Sequence, residues 1–262
     1  MVKRKIINIF FRAIIMVCAA VMLLPIVVTI LSSFGISFNG KTEIGTSGYL
    51  DFYVWKPLYL NAFRHSVMIS GAVVLWTLII SIPAAYIFAK VPFRGRNLLF
   101  YIYIIVMMMP FQVTLLPQYI VSRYLELYDT HYAMILPGIF SPFSVFLLTQ
   151  VIKSIPNEYL EAVRLDTTNI VHVLTRIIVP IIRPGVICAA VLVFTEEWNR
   201  VAEPTILMET KENYPLAVIL SFSTSAGMAA FAATVIFMLL PMFLFGFFED
   251  EIAEGLGEYR LK

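Results

Sequence analysis

Three acidic side chains between Lys153 and Arg183 are the groups in this chain best placed to bind another molecule. They are Glu158, Glu161 and Asp166, and they stand in a charged segment that interrupts a mostly apolar sequence. Carboxylates in such a segment form ion pairs with basic groups of other proteins, whereas anionic lipid repels them. The pattern favours a docking surface for a partner protein, and an amphipathic helix that rests on a lipid surface is the alternative.

Spacings typical of catalytic or metal sites are absent from the sequence. The histidines His65, His131 and His172 lie in different segments, and Cys18 and Cys188 both lie in apolar runs. Neither arrangement matches a nucleophile with its base or a set of metal ligands. We therefore predict that the protein is not an enzyme, that it binds no metal or cofactor of its own, and that a partner supplies any energy it uses.

The composition of the chain is that of an integral membrane protein. Of its 262 residues, 60% are hydrophobic and 14% are charged, and the mean hydropathy is +0.86. A soluble domain is about half apolar and about a quarter charged. The formal net charge of +2 gives no reason to expect nucleic acid as a partner. The lipid bilayer is therefore the first partner that the sequence predicts.

Long uncharged runs predict an all-α protein with about six transmembrane helices. A helix needs roughly 20 apolar residues to cross the hydrocarbon core of a bilayer. The predicted spans are about 13–31, 66–89, 97–120, 132–152, 178–198 and 228–248. If both termini are cytoplasmic, most of the 19 lysines and arginines fall on the inner side, as the positive-inside rule requires.

The fifth span is irregular because its longest uncharged stretch, Pro184–Thr195, is too short to cross alone. Either the helix begins near Ile177 and Arg183 extends its side chain to the interface, or the helix continues past Glu196 into a polar interior. Prolines inside the proposed spans also predict kinked helices that pack as a bundle. These prolines are Pro25, Pro83, Pro110, Pro117, Pro137, Pro142 and Pro241.

The charged segment itself has a helical pattern. Its apolar positions recur at spacings of three and four residues, with Thr167 filling the one gap. These positions are Leu160, Val163, Ile170, Leu174, Ile177 and Ile181. Pro156 suits a first helical turn, and the weak helix formers 167–169 allow a bend. We predict a short cytoplasmic helix, a turn, and a second helix that continues into the fifth span.

This segment resembles the cytoplasmic signature loop of the membrane subunits of ATP-binding-cassette importers. The pattern of that family is Glu-Ala-Ala, three residues, Gly, nine residues and Ile-x-Leu-Pro. Here Glu161-Ala162-Val163 is followed at the same spacings by Thr167 and by Ile177-Ile178-Val179-Pro180. The register fits without a gap, and the departures are Val163 for Ala, Thr167 for Gly and Val179 for Leu. The glycine is the departure with a physical consequence, because a residue with a Cβ restricts the turn.

Further pieces of the chain are similar to the carbohydrate branch of that family, the maltose-type permeases. They appear in family order from about residue 60 to 248. The matching pieces are Met109–Val113, Leu116–Tyr119, Leu127–Thr130, Ile135–Pro137, Phe146–Leu148, Ile155–Pro156 and Trp198–Asn199.

The resemblance implies that the chain, 1–262, is a single transmembrane permease domain in the bacterial cytoplasmic membrane. A second homologous permease subunit completes the pore, and two cytoplasmic ATP-binding-cassette subunits bind the ATP. An extracytoplasmic solute-binding protein delivers a sugar or oligosaccharide. The loop 153–183 then carries a coupling helix, and closure of the ATPase subunits moves this helix and rocks the pore between two states.

The coupling residues that the resemblance implies lie in the first half of this loop. Glu161 is expected to pair with a basic group of the ATPase. Leu160, Val163 and Leu165 are expected to supply the buried patch of the helix. The full set is Glu158, Leu160, Glu161, Ala162, Val163, Arg164, Asp166 and Thr167.

Polar side chains within the spans are the candidates for contact with a substrate. A neutral, hydroxyl-rich sugar requires amide, hydroxyl and carboxylate partners and an aromatic face. The candidates are Gln112, Thr114, Ser144, Glu196, Trp198 and Asn199. Glu196 and its neighbour Glu197 either face the pore or lie at the outer surface of the bilayer, where Trp is enriched.

Two alternatives to a sugar importer follow from the same residues. The same architecture with a polyol, glycerol phosphate or a peptide as its solute is the first. A stand-alone secondary transporter is the second, although such carriers usually contain inverted repeats, and the sequence has no clear internal repeat. An ATPase subunit that co-purifies with the chain would distinguish an importer from a carrier.

Overall fold

The computed structural model describes residues 2–36, 44–55, 57–167, 169–223 and 227–257, with side chains except at 2–11, 55, 162–166 and 256–257. The regular structure in these ranges is helical throughout, which confirms the all-α class. The α-helices are α1 Val2–Ser33, α2 Ser47–Leu50, α3 Pro57–Lys90, α4 Arg96–Met107, α5 Phe111–Tyr124, α6 Tyr132–Gly138, α7 Pro142–Lys153, α8 Asn157–Asp166, α9 Ile170–His172, α10 Val179–Ile181, α11 Arg183–Trp198, α12 Ala202–Leu207, α13 Leu216–Ser221, α14 Met228–Phe247 and α15 Glu249–Gly257. Two π-helical segments, Asp51–Trp55 and Val173–Ile178, and the 3-10 turn Lys211–Asn213 complete this set.

Four helical segments of the described chain are long and apolar enough to cross a bilayer. They are Arg12–Ser33, Pro57–Lys90, Tyr132–Lys153 and Met228–Phe247. Two bent pairs raise the number to six if each pair forms one span: Arg96–Met107 with Phe111–Tyr124, at 94°, and Ile170–Ile181 with Arg183–Trp198, at 85°. Pro110 and Pro184 lie at the two bends, as expected of a residue that cannot donate a helical hydrogen bond.

Residues Met1–Leu60 and Leu220–Leu239 form one compact unit. In this unit α2 packs against the start of α14, where a Cβ atom on Gly48 would lie 2.6 Å from the carbonyl oxygen of Met228. Ser47 Oγ donates to Met228 Sδ at 3.0 Å beside this contact. A glycine is required at position 48 because the neighbouring atom is backbone, which cannot rotate away.

Residues Asn61–Ile219 and Leu240–Lys262 form a second compact unit, which has two hydrophobic cores. The first core joins the end of α3 to α7, α8 and α11. Its buried members are Ala85, Tyr86, Leu148, Val151, Ile152, Ile155, Leu160, Val173, Ile178, Ile182 and Ala189. The second core joins α3 to α6, α11 and the segment after α12, through Ile69, Val73, Ala133, Met134, Val193, Leu207 and Met208.

The π-helical segment Val173–Ile178 changes which residues of the predicted apolar stripe are buried. The structure buries Val173, Ile178 and Ile182 completely or nearly so, whereas the sequence pattern pointed to positions 174, 177 and 181. A π-helix pairs each residue with the fifth one along the chain and has more residues per turn than an α-helix. The spacing of three and four therefore identified a helix whose stripe residues Leu174 and Ile181 pack against the first core, while the most deeply buried positions lie one residue away.

The C-terminal helix α15 packs along α11. A Cβ atom on Gly255 would lie 2.7 Å from Cys188 Cβ and 2.9 Å from the carbonyl oxygen of Pro184. The carboxylate of Glu251 lies 4.0 Å from the guanidinium of Arg183. The last described helix therefore covers the first half of α11, and the close approach depends on the absence of a side chain at position 255.

Candidate functional site

Helix α8 is fixed to the second unit at its beginning and along one face. The ammonium of Lys90, at the end of α3, donates to the carbonyl oxygen of Ile155 and to Asn157 Oδ1, the latter at 2.9 Å. Leu160 is only 5% exposed and belongs to the first hydrophobic core. Because a hydrogen-bonded start and a buried apolar side chain hold the helix, α8 and the bundle beneath it are expected to move together.

The other face of α8 is polar and open. Glu158, Tyr159 and Glu161 are exposed. The side chains of Ala162, Val163, Arg164 and Asp166 lie outside the described part of the chain, so the positions expected of them remain predictions. Leu160 was predicted to be part of a buried patch, and the structure buries it in the chain's own first core.

Thr167 stands after α8 where the family pattern has glycine. Among the described residues other than glycine, positive φ occurs only at Glu126 and Asp129, so Thr167 does not adopt the conformation that glycine favours. Thr167 Oγ1 accepts from the backbone N–H of Asn169 at 3.2 Å. Asn169 Oδ1 in turn accepts from the N–H groups of Val171 and His172 and caps the next helix.

A polar cavity lies at the far end of α11, within the second unit. Its volume is about 320 Å³, which is near the lower end of the range for small-molecule sites. The ends of α4, α6 and α11 and the beginnings of α5, α7 and α12 surround it. The residues that carry the argument below are Phe111, Thr114, Gln118, Phe140, Glu196, Glu197, Arg200 and Glu203.

Three carboxylates surround the guanidinium of Arg200 at this cavity. Arg200 Nη2 lies 2.8 Å from Glu197 Oε1 and 3.2 Å from Glu196 Oε1, and Arg200 Nε lies 3.6 Å from Glu203 Oε1. The Glu197 side chain is 3% exposed, and its second oxygen, Oε2, is a buried atom without a hydrogen-bond partner in the described chain. An unsatisfied buried acceptor costs about 1–3 kcal/mol, so this oxygen favours an incoming donor.

Gly138 brings the backbone of α6 against the Glu197 carboxylate. A Cβ atom at position 138 would lie 3.2 Å from Glu197 Oε1 and 3.0 Å from a methyl group of Val73. Any larger side chain would displace one of these groups. The position of the carboxylate in the cavity therefore depends on the lack of a side chain on the facing helix.

Two of the six predicted substrate contacts line this cavity, and four do not. Thr114 and Glu196 are in its wall. The Ser144 hydroxyl is buried 2.9 Å from Ser141 Oγ, and Trp198 is 1% exposed and packs on Phe63 and Phe194. The two remaining candidates, Gln112 and Asn199, are exposed and lie outside the lining, and Asn199 Nδ2 donates to the carbonyl oxygen of Thr195.

Sequence reasoning missed Gln118, Arg200 and Glu203 as cavity residues. The spacing from Glu196 and Glu197 to Arg200 and on to Glu203 is three or four residues. Residues at that spacing meet when the backbone is helical. That signal was present in the sequence, but only the structure places these four side chains in the lining of one cavity.

Asp129 joins the loop before α6 to the segment after α12. Its carboxylate accepts from the backbone N–H groups of Glu209 and Thr210, both at 2.9 Å, and from the Thr210 hydroxyl. Its N–H donates to Leu207 O, and Asn213 Nδ2 donates to its carbonyl oxygen. We call this set of contacts the Asp129 clamp. It holds the residues that follow Glu203 in place.

Replacing Asp129 by Asn is expected to loosen this clamp. The amide exchange of Glu209 and Thr210 should become at least about tenfold faster, because hydrogen bonds to a charged acceptor contribute about 1.5–3 kcal/mol. Hydrogen–deuterium exchange with mass spectrometry measures the change. Asp250→Asn, an exposed position on α15, is the matched control. Equal exchange in Asp129→Asn and the parent protein would contradict the proposed role of the carboxylate.

The same clamp is expected to depend on pH. Burial opposes ionisation of Asp129, but hydrogen bonds from Thr210, Glu209 and Asn213 outweigh it and hold the pKa of Asp129 below its ordinary value. A depressed carboxyl pKa contributes stability above the unfolded pKa, and this contribution is lost as the pH falls through the folded pKa. Exchange at Glu209 and Thr210, corrected for its intrinsic pH dependence, should therefore rise below about pH 4 in the parent protein and stay flat in Asp129→Asn.

Apolar helices, a charged helix fixed to their bundle and a small polar cavity together define a multi-pass membrane transport subunit. Residues 80–255 match the family described as "Binding-protein-dependent transport system inner membrane component". The chain belongs to this family, which confirms the resemblance that the loop at Glu161 carries. It also confirms the predicted location in the cytoplasmic, or inner, membrane.

Curated relatives agree with this assignment. The chain is 31% identical to a putative ABC transporter permease protein of Caldicellulosiruptor sp. over 76% of its own length and 74% of the relative's. It is 28% identical to the arabinooligosaccharides transport system permease protein AraQ of Halalkalibacterium halodurans, over 84% and 85% of the two chains. Identity to the trehalose transport system permease protein SugB of Mycobacterium tuberculosis is 27%, over 78% of each chain.

A solved structure has the same fold. It is described as a bacterial ABC transporter involved in the import of the acidic polysaccharide alginate, and the superposition has a TM-score of 0.84. The match covers 94% of this chain and 96% of that one, at 20% sequence identity. At this identity the likeness concerns the fold alone.

Proposed function

We propose that this chain is one of two permease subunits of an ATP-driven importer for a sugar or oligosaccharide. In this proposal an extracytoplasmic binding protein delivers the solute, and two cytoplasmic ATPase subunits, not this chain, bind and hydrolyse ATP. The chain crosses the membrane six times with both termini cytoplasmic, and residues 153–183 form the coupling loop. The names of several relatives support a sugar, since they are permeases of arabinooligosaccharide, lactose and trehalose transport systems.

One observation supports this proposal: helix α8, with its exposed acidic residues, and the polar cavity are linked by consecutive helical segments of the second unit. Helix α8 leads through the turn at Thr167 to the segment Ile170–Ile181, which bends by 85° into α11. The last turn of α11 carries Glu196 and Glu197 to the cavity. The first core packs Leu160 of α8 in the same cluster as Ala189 of α11. A force on α8 would therefore act on the helix that shapes the cavity.

Tight packing makes this transmission physically reasonable. Packed interiors resist compression, and small shifts in them lead to rigid-body movement between discrete arrangements. Lys90 and Leu160 fix α8 to α3 and to the first core, so a displacement of α8 cannot be absorbed at its own base. We infer that nucleotide-driven closure of the ATPase subunits moves α8 and opens or closes the cavity.

The cavity lining suits a hydroxyl-rich solute. Phe111 and Phe140 are 44% and 64% exposed and offer apolar faces on which a sugar ring can stack. Thr114 and Gln118 supply a hydroxyl and an amide, and Glu197 supplies an acceptor that lacks a partner. These are the groups that pair with sugar hydroxyls, each of which both donates and accepts.

Co-purification tests the proposed assembly. Affinity-tagged chain extracted from the native membrane in mild detergent should bring along a second permease and an ATPase subunit in fixed proportion. Vesicles that contain this complex should accumulate sugar only when ATP and the binding protein are both present. A chain that purifies alone and moves sugar without nucleotide would show a secondary carrier and refute the proposal.

A further inference from the structure

We propose that the cavity around Arg200 selects solutes by charge, accepting neutral and cationic hydroxyl-rich molecules and rejecting anionic ones. This inference rests on the proposed function, because it treats the cavity as part of the solute path. It narrows the solute class to neutral sugars, polyols and amino sugars. Uronate-containing saccharides and phosphorylated polyols are excluded.

The first argument for charge selection is the net charge of the ionisable groups in the cavity lining. In the described lining these groups are Glu196, Glu197, Glu203 and Arg200. Carboxylates outnumber the single guanidinium, and an excess of negative charge remains even if Glu197 holds a proton. In a partly enclosed cavity of about 320 Å³, charges interact more strongly than they do in bulk water. An anionic solute would therefore enter against a repulsive potential.

The second argument is that the guanidinium of Arg200 is already paired with carboxylates of the chain. Its guanidinium lies within 2.8–3.6 Å of three carboxylates and is 17% exposed. An anionic solute needs a cation with free donors, as in sites that bind carboxylate or phosphate through arginine. In the described lining the only guanidinium is already engaged by protein carboxylates. To bind an anion, Arg200 would have to leave at least one of these carboxylates uncompensated.

The third argument is that one carboxylate oxygen of Glu197 lacks a hydrogen-bond donor. Glu197 Oε2 is buried and has no hydrogen-bond partner in the described chain, and its side chain is 3% exposed. A carboxylate oxygen accepts hydrogen bonds and therefore seeks a hydroxyl or an ammonium group. The aromatic side chains Phe111 and Phe140 in the same lining favour the binding of a sugar ring or of a cationic group, and they do not favour a free anion.

A matched set of three open-chain disaccharide derivatives separates charge from shape. Lactitol is neutral, lactobionate carries a carboxylate, and 1-amino-1-deoxylactitol carries an ammonium group on the same carbon skeleton. Binding is measured by equilibrium dialysis against the purified transporter complex, with the external binding protein omitted so that its own selectivity does not contribute. We expect lactobionate to bind at least about tenfold more weakly than lactitol, and the amine to bind at least as well as lactitol.

Charge-neutral variants assign the selectivity to this cavity. Glu203→Gln and Glu197→Gln preserve the shape of the side chain and remove one potential negative charge each. Either should narrow the difference between lactitol and lactobionate to about threefold or less, because a like charge is removed. Glu249→Gln, an exposed position at the start of α15, is the control and should leave the difference unchanged.

Three results would overturn the charge proposal: lactobionate binding as tightly as lactitol, no binding of any of the three compounds, or a selectivity that neither cavity variant alters. All of these are compatible with a permease that co-purifies with an ATPase and imports a sugar. Loss of co-purification and of nucleotide-dependent uptake would instead remove the proposed function. The results that would refute the charge proposal therefore differ from those that would refute the proposed function.

Discussion

Replacing Glu161 by Lys is expected to abolish nucleotide-dependent uptake, to less than about one hundredth of the parent rate. Glu161 is exposed on the open face of α8, and its proposed partner is a basic group of the ATPase subunit. The substitution converts an attractive pair into two like charges, a change that costs several kcal/mol at a protein interface. A loss of about 2.7 kcal/mol already corresponds to a hundredfold change. Uptake into vesicles and the amount of co-purified ATPase are the measurements.

The same variant should insert and fold normally, since Glu161 is exposed and belongs to neither hydrophobic core. Glu212→Lys is the matched control, because it makes the same charge change at an exposed position on the segment after α12. This control should bind the ATPase and transport at the parent rate. Full transport by Glu161→Lys would show that α8 is not the coupling element, and the proposal for this helix would be abandoned.

Replacing Gly255 by Leu is expected to detach α15 from α11. Even a Cβ atom at this position would lie 2.9 Å from the carbonyl oxygen of Pro184, and backbone cannot rotate out of its way. Overpacking of an interior site costs about 1–3 kcal/mol. Because a helix of this length is marginal without its packing partner, α15 should then lose its contact with α11 altogether.

Cys188 reports this detachment directly. Its thiol is buried beneath Gly255 in the parent structure. In a Cys18→Ser background, which removes the exposed cysteine, Gly255→Leu should raise the rate of maleimide labelling at Cys188 at least about tenfold. Gly246→Leu is the matched control, since a Cβ atom there meets nothing within 4 Å. Labelling of Gly255→Leu at the parent rate would mean that the packing of α15 on α11 tolerates the added side chain.

The coupling segment shows how far local pattern can be trusted. Pro156, the acidic residues that follow it and the weak helix formers at 167–169 predicted a helix and a break, and the structure ends α8 at Asp166 and begins the next helix at Ile170. Beyond α8 the stripe residues Leu174 and Ile181 do pack against the first core. The most deeply buried residues are their neighbours Val173, Ile178 and Ile182, where the backbone is π-helical from Val173 to Ile178. Val173 and Ile178 of this segment pack in one core with residues of α3 and α7. The spacing of residues along the sequence contains no information about such packing.

The cavity shows what residue polarity in the sequence can and cannot predict about a binding site. Glu196 and Thr114 were predicted from their polarity within apolar spans, and both line it. Ser144 and Trp198 have the same kind of signal but lie buried among neighbours of the chain itself. Polarity identifies residues that need partners, whereas only the folded chain decides whether a partner is another protein atom or a solute.

The sequence by itself determined that this protein lies in a membrane, that it is helical, and that a charged loop with the family spacing interrupts it. These properties follow from local composition and from periodicity, because a bilayer demands long apolar helices whatever their neighbours are. The tertiary structure alone decided that Arg200 and its three carboxylates line one cavity with residues of α4 to α7, that Leu160 faces inward, and that Gly255 admits α15 against α11. Each of these depends on groups brought together from separate helices or turns, and their distances are set by how the helices pack.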